Sequence, residues 1–577
     1  MVSIESRQGF LSIPSRTFFC ASMLLVVCMV LTAQAGPASQ YNVYDFGAVG
    51  NGSTLDTKAI QTTIDTCAER GGGTILFPAG KYLTGTINLR NHIRLHLDAG
   101  ATILGSTNVD DYPIKVCEYP SRSDRYTARA LFWGEGLQDI AITGRGTIDG
   151  QGAQFKDNRA SVDEIAHLTK LFDKDGRYVP NNIFANRPFL IRMVSCRDIL
   201  MENINLRCSA MWMQQYLNCE FLTIRGLSIF NHGCRNNDMM DIDGCRNVII
   251  TGCFGDTDDD ALTLKSTGEA PTENVTISNC IVSSRCNAIK AGTESSGGFK
   301  NIVITNCVIR PSSQHNGQTG RPEGLGGIAL EIVDGGTLDG VTISNVTIKE
   351  TSSPIFLRLG NRARPYKPDM PKPPVGTFRN VVINNIVAQN AGNTGCSIVG
   401  IPGHRIENVT ISNMKIGFDG GGTKKHVSAE VPELENKYPE STMFGILPAY
   451  GFFCRHVDGL TFRDVDFTYD KPEQRPAIVC DDVRNLKLDG FNAQVAMDAS
   501  GQIIFRNTAD VLITGCRPPA GNVFLRLENN STLINVISND LSRVNTLFTF
   551  DESTSKSDVY ADFNRIQSIP TGNLKGR

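Results

Sequence analysis

Between Asn236 and Ser266 the chain concentrates carboxylates among strand-like residues: Asp238 is followed 21 positions later by the adjacent pair Asp259 and Asp260. If one repeat of the flanking sequence is one coil of a solenoid, these three side chains lie at neighbouring heights on one wall. Three close carboxylates cannot all ionise freely, so one keeps its proton near neutral pH. A proton donor beside two acceptors is the equipment for hydrolysing a glycosidic bond, and an inverting reaction expects the acid about 6.5–9.5 Å from the water-activating carboxylates. Asp and Asn also serve as turn residues, which accounts for single acids but not for a triple in register. The pair Asp259 and Asp260 can share a cleft only at a strand end or bulge, since consecutive strand residues face opposite ways.

Cations stand close enough to matter. Lys265 and Lys290 border the acidic run, Arg358 sits in F-L-R-L-G-N-R, and Arg455 precedes His456 in a late segment without repeats. Such groups grip sugar carboxylates, arginine bidentately; for Arg358 and Lys290 a plain ion pair is an equal alternative. His232 reads as a satisfied turn histidine rather than a base, and Cys286 has no histidine at its phase to make it a nucleophile.

What must position these groups is a repeat of the form N-V-x-I-x-N. It recurs at Asp198-Ile199, Asn247-Val248, Asn274-Val275, Asn301-Ile302, Gly340-Val341, Asn380-Val381, Asn408-Val409, Gly459-Leu460, Asn485-Leu486 and Asp510-Val511. Val248, Val275 and Ile302 are 27 apart, and later intervals of 39 and 40 are what loop insertions produce. Alternation at period 2 with β-branched residues excludes a helical solenoid, and a propeller wants longer blades. The pattern predicts an all-β chain, a single-stranded right-handed parallel β-helix. Recurrent Asn suits left-handed turn positions with amides bonded up the stack. Cys253, Cys280 and Cys307, again 27 apart, read as a buried column of small thiols rather than a disulfide framework.

The ends differ. Asp56–Glu69 places Ile60, Ile64 and Cys67 on one helical face before Gly71-Gly72-Gly73, a capping helix for the open end of the solenoid within a cap of about 41–105. Residues 151–187 break the repeat as a loop insertion, the proline-rich 364–374 is another loop, and 418–456 is a non-repeating stretch able to fold back as a cleft wall. Residues 1–35 combine Arg7 and Arg16, an apolar run from Phe18 to Leu31 and Thr32-Ala33-Gln34-Ala35, which is a signal peptide cleaved after Ala35. The apolar run is shorter than the ~20 residues of a membrane span. A secreted or periplasmic monomer with one domain over 36–577 follows, with no membrane partner once the signal is removed.

Several motifs carry a resemblance. Phe46-Gly47-Ala48 through Gly71-Gly72-Gly73-Thr74-Ile75 to Phe77-Pro78-Ala79-Gly80-Lys81-Tyr82 resembles the N-terminal signature of the pectate-lyase-like β-helix superfamily. Arg187-Pro188-Phe189-Leu190-Ile191, Trp212 and the acidic stretch resemble glycoside hydrolase family 28, the polygalacturonases and rhamnogalacturonases, over roughly 41–420. The family's N-T-D falls on Asn236-Asn237-Asp238 and its G-D-D on Asp258-Asp259-Asp260. The resemblance thereby implies Asp259 as general acid, with Asp238 and Asp260 activating water. Its G-H-G falls on Cys286-Asn287-Ala288 and its R-I-K on Ala329-Leu330-Glu331, so Asn287 and Glu331 stand where the family keeps substrate-binding groups. A negative Glu331 there is expected to repel a uronate and make plain polygalacturonan a poor substrate.

Composition narrows the rest. Lys plus Arg (56) nearly balances Asp plus Glu (59), which gives no case for nucleic acid. The leading expectation is a hydrolase of a pectin-like or other acidic polysaccharide, without metal or cofactor. Two alternatives remain open: a calcium-dependent lyase using Asp256, Asp258, Asp259 and Asp260 as oxygen ligands, and a non-catalytic carbohydrate-binding β-helix. Long insertions favour exo action.

Overall fold

The computed structural model describes residues 40–125, 127–155, 186–314, 323–367 and 370–566. The expected signal peptide at 1–35 and residues 156–185 of the expected loop insertion lie outside them. The strands pair in parallel, each with its equivalent one coil earlier and one coil later, in a parallel β-helix. Ile199, Leu222, Val248, Val275, Ile302, Val341, Val381, Val409, Leu460, Leu486 and Val511 are successive register partners. All are buried. The long intervals leave this register intact, because the extra residues exit between strands, from Ile309 to Gly324 and from Leu359 to Thr377.

The repeated Asn solves a backbone problem. Asn247, Asn274 and Asn301 hold φ of 59°, 55° and 53°, the left-handed region that Asn tolerates better than β-branched residues do. Their amides link coil to coil: Asn274 Nδ2 donates to Asn247 Oδ1 at 3.1 Å and Asn301 Nδ2 to Asn274 Oδ1 at 3.1 Å. A second ladder runs Asn306, Asn345, Asn385. Cys253, Cys280 and Cys307 are buried free thiols. At the N-terminal end the helix Thr57–Glu69 turns Ile60, Ile64 and Cys67 into the core. It stops where Gly72 takes φ of 101°, at a spot where a Cβ would lie 2.2 Å from the His92 carbonyl oxygen.

One sheet positions the chemistry. In the strands Met240–Asp243, Leu262–Ser266, Asn287–Ser295, Gly324–Ile332 and Thr351–Leu359, alternate residues fill the barrel: Met240 and Ile242, Leu262 and Leu264, Ile289 and Ala291, Ile328 and Leu330, Ile355 and Leu357. Their neighbours Asp241, Thr263, Lys290, Ala329 and Phe356 form one outward column. These outward side chains are buried too, so other parts of the chain cover this face. Among the described residues no helix is long and apolar enough to cross a membrane.

Candidate active site

Asp259 and Asp260 occupy the turn between the strands Phe254–Thr257 and Leu262–Ser266, which frees both to face one side. The Asp259 carbonyl accepts from Thr257 Oγ1 at 2.7 Å and Ser284 Oγ at 2.6 Å, and its Oδ1 accepts from the Asp260 amide at 2.9 Å. The coil step here is 22 residues (262 − 240), as Met240 pairs with Leu262. Asp238 therefore neighbours Asp260 across the coils, with the Met239 amide on the Asp260 carbonyl at 2.9 Å. Arg187 secures the approach by donating to the Arg235 carbonyl at 2.6 Å and Asn236 Oδ1 at 3.2 Å.

The three aspartates line one cavity of about 350 Å³ together with Met211, Trp212, Asn236, Lys265, Cys286, Lys290, Glu294, Leu325, Tyr438 and Glu440. Asp259 is the most open of the three, 9 % exposed against 2 % for Asp238 and 3 % for Asp260. Asp260 is firmly tied: Lys290 Nζ stands 3.0 Å from its Oδ2, and Asn287 donates to its Oδ1 from Nδ2 at 2.9 Å and from the backbone amide at 3.2 Å.

A second charged knot lies beside Asp238. Lys265 Nζ is 3.9 Å from Asp238, 3.5 Å from Asp241 and 3.4 Å from Glu294, and 4.6 Å above the Trp212 ring. Burial works against the Glu294 anion, yet Lys265, Arg364 and Arg362 hold its carboxyl well below the usual range. Asp238 and Asp241 go the other way, raised well above it by burial and then by neighbouring carboxylates, Asp241 and Asp259 acting on Asp238 and Asp260 and Asp243 on Asp241, against the pull of Lys265. The two therefore retain a proton between them. Neither Asp241 oxygen has a hydrogen-bond partner among the described residues, which suits the neutral form there.

Some expected site residues sit elsewhere. Glu331 is fully buried, 4.0 Å from Lys290. Burial, against the pull of Lys290, raises its carboxyl to about 8, so it is largely neutral at pH 5–7 and cannot repel a substrate carboxylate as the sequence suggested. Asn287 is a holder of Asp260 rather than part of the cavity lining. Arg358 is also wholly buried, and its guanidinium is spent on the carbonyls of Gly400 at 3.0 Å and Glu433 at 2.6 Å. Arg455 bonds the carbonyls of Val431 and Pro432. Neither arginine lines the cavity that holds the three aspartates. Lys265 and Lys290 do.

The sequence gives no individual role to Asp241, Glu294, Tyr438 or Glu440, although the last two lie in the stretch 418–456 marked there as able to fold back as a cleft wall. Asp241 is legible in M-D-I-D, whose alternation sends Asp241 to the same outward face as Asp243. Glu294 depends on a bulge: Leu264 pairs with Ala291 but Ser266 with Ser295, so the offset grows from 27 to 29 residues. Tyr438 and Glu440 come from the segment between Gly420 and Phe452, and long-range folding of such a loop leaves no periodic signal. Thr293 Oγ1 donates to the Tyr438 hydroxyl at 2.9 Å, tying the segment to the bulge.

His232 lies between Asp256, 3.1 Å from Nε2, and Asp258, 2.9 Å from Nδ1. These two carboxylates raise it to about 9 against the opposing effect of burial. Asp256 also accepts from Ser312 and Ser313. Asp256 and Asp258 are thus turned away from the cavity. The donors there that approach one another within 4.8 Å are Asp259, Asp260 and Cys286. Burial and Asp259 push the Cys286 thiol up, so it stays protonated, a soft group that suits neither a hard calcium ion nor nucleophilic attack.

The model of the glycosyl hydrolases family 28 matches residues 67–436. A probable polygalacturonase of Vitis vinifera is 29 % identical over 286 residues, 44 % of this chain and 54 % of the relative. An exo-poly-alpha-D-galacturonosidase of Dickeya chrysanthemi is 26 % identical over 269 residues, 41 % of this chain and 43 % of the relative. The chain thus spans about half the length of these relatives. The exopolygalacturonase structure from Thermotoga maritima superposes with a TM-score of 0.57 at 20 % identity, covering 75 % of this chain and 92 % of that one; it shares the fold.

Proposed function

The chain belongs to the glycosyl hydrolases family 28, and from that premise we propose that it hydrolyses glycosidic bonds of a pectin-like, galacturonate-containing polysaccharide with inversion. The observation that carries this reading is the convergence of Asp238, Asp259 and Asp260 on one cavity, with Lys290 Nζ 3.0 Å from Asp260. Asp259, the most open carboxyl, gives its proton to the glycosidic oxygen as the bond to the anomeric carbon breaks. Asp260 or Asp238 takes the one proton lost by the water that attacks the opposite face, while Asp241 stays protonated.

The relatives named as polygalacturonases support a uronate substrate, and Lys290 and Lys265 supply cations for its carboxylate. The lyase reading loses support, since Asp256 and Asp258 are bound by His232. Export through the leader at 1–35 brings the enzyme to its polymer; N-terminal sequencing of exported protein should start near Gly36. Release of reducing ends from polygalacturonan and rhamnogalacturonan, abolished in Asp259→Asn, tests the activity. Full turnover by that variant would refute it.

A further inference from the structure

The family match ends at residue 436, but the sheet that carries the catalytic coil runs on. Lys290, Ala329, Phe356, Ser397 and Phe453 are successive register partners. Four coil steps of ~4.8 Å put Phe453 roughly 20 Å beyond Lys290 along the same sheet. Two residues further along the strands, Arg455, Asp481, Arg506 and Glu528 form another register column. With Phe453, Asn529 and residues 428–433, the first three of these enclose a second cavity of about 550 Å³.

This cavity is built and chemically unfinished. Arg455 is 6 % exposed; it donates to the Val431 carbonyl at 2.7 Å and the Pro432 carbonyl at 3.2 Å, and pairs with Glu433 Oε1 at 3.2 Å. Its Nε is buried and has no hydrogen-bond partner among the described residues, and the same holds for Glu433 Oε2. Asp481 lies in register between Arg455 and Arg506, and burial raises its carboxyl against the pull of both. Unpaired buried polar atoms are costly, so the wall of this cavity is not satisfied by the chain alone.

The mixture of groups selects the ligand. Phosphate or sulfate would meet Asp481, Glu433 and Glu430 head-on, and a cationic ligand would meet Arg455 and Arg506. A polyhydroxylated ring, whose hydroxyls each donate and accept, satisfies both sets at once. We propose that this second cavity holds a pyranose unit of the polysaccharide, remote from the bond being cleaved. The proposal rests on the reading of the chain as a polysaccharide-acting protein, though not on which aspartate is catalytic.

Affinity electrophoresis through gels containing polygalacturonan or rhamnogalacturonan, in the Asp259→Asn background, decides it. Retardation by at least one polymer is expected, weakened at least threefold by adding Asp481→Ala. Asn529→Asp, which retains a residue tolerant of the φ of 54° found there, is expected to act likewise and serves if Asp481→Ala does not fold. In the otherwise native chain, Asp481→Ala should leave turnover of a galacturonan trimer unchanged. Unaltered retardation in both variants, no retardation by either polymer, or loss of trimer turnover in Asp481→Ala would each overturn the proposal. Failure of the native chain to cleave the trimer would refute the proposed activity instead, while retardation still decides this site.

Discussion

Lys290→Met isolates the buried contact between Lys290 and Asp260. Lys290 Nζ and Asp260 Oδ2 are 3.0 Å apart, with side chains 2 % and 5 % exposed, so little water screens them. Coulomb's law at that separation gives about 5–6 kcal/mol at an effective dielectric of about 20, before the cost of removing both charges from water. Removing one partner of such a pair costs about 3–5 kcal/mol, because the other charge stays buried. Each of Lys290→Met and Asp260→Asn should therefore destabilise the fold by about 3 kcal/mol, and the double variant by little more than either one alone. Guanidinium unfolding of all four proteins, with slopes checked for partial unfolding of the solenoid, measures the coupling. Lys290→Met should also lower kcat by about 10²–10⁴-fold if Asp260 serves as a base. Additive single effects, with coupling below about 1 kcal/mol as at an exposed pair, would refute the argument.

Three further outcomes are expected. Glu331 titrates at about 8 in the fold against an ordinary 4.5; the folded state then binds the extra proton between those values, so stability falls as pH rises from about 4.5 to about 8. Glu331→Gln should flatten that slope in pH-dependent melting. His232, raised from 6.5 to about 9, contributes stability fully present below about 6.5 and lost as pH rises through about 9, so His232→Gln should flatten the alkaline part of the same curve. Asn274→Ala places alanine at a φ of 55° and breaks the amide contacts to Asn247 and Asn301. It should cost about 2 kcal/mol, and Asn274→Gly, free of the backbone strain, less; equal losses in denaturant titrations would contradict the ladder's conformational role.

The coil and its register are legible because they repeat. One N-V-x-I-x-N phrase fixes which residue faces inward, so Val248, Val275 and Ile302 can be stacked from spacing alone. Leu222 is harder to find because its coil, E-F-L-T-I-R-G, lacks the Asn that marks the turn. The acidic residues are visible as a cluster, but their partners are not. Whether a cation reaches substrate or a backbone carbonyl depends on what covers the outward face, and the covering segment between Gly420 and Phe452 is aperiodic. Arg358 and Arg455 leave their expected places for that reason: the segment's carbonyls at Val431, Pro432 and Glu433 take them. Glu331 has the sequence signature of a surface charge, although its strand is buried on both faces.

The anomeric configuration of the first-formed product tests the central claim most directly. Proton NMR of a galacturonan oligosaccharide, recorded faster than mutarotation, should show the new reducing end inverted, with no such product from Asp259→Asn. A retained configuration, or an unsaturated product, would contradict the three-aspartate hydrolysis.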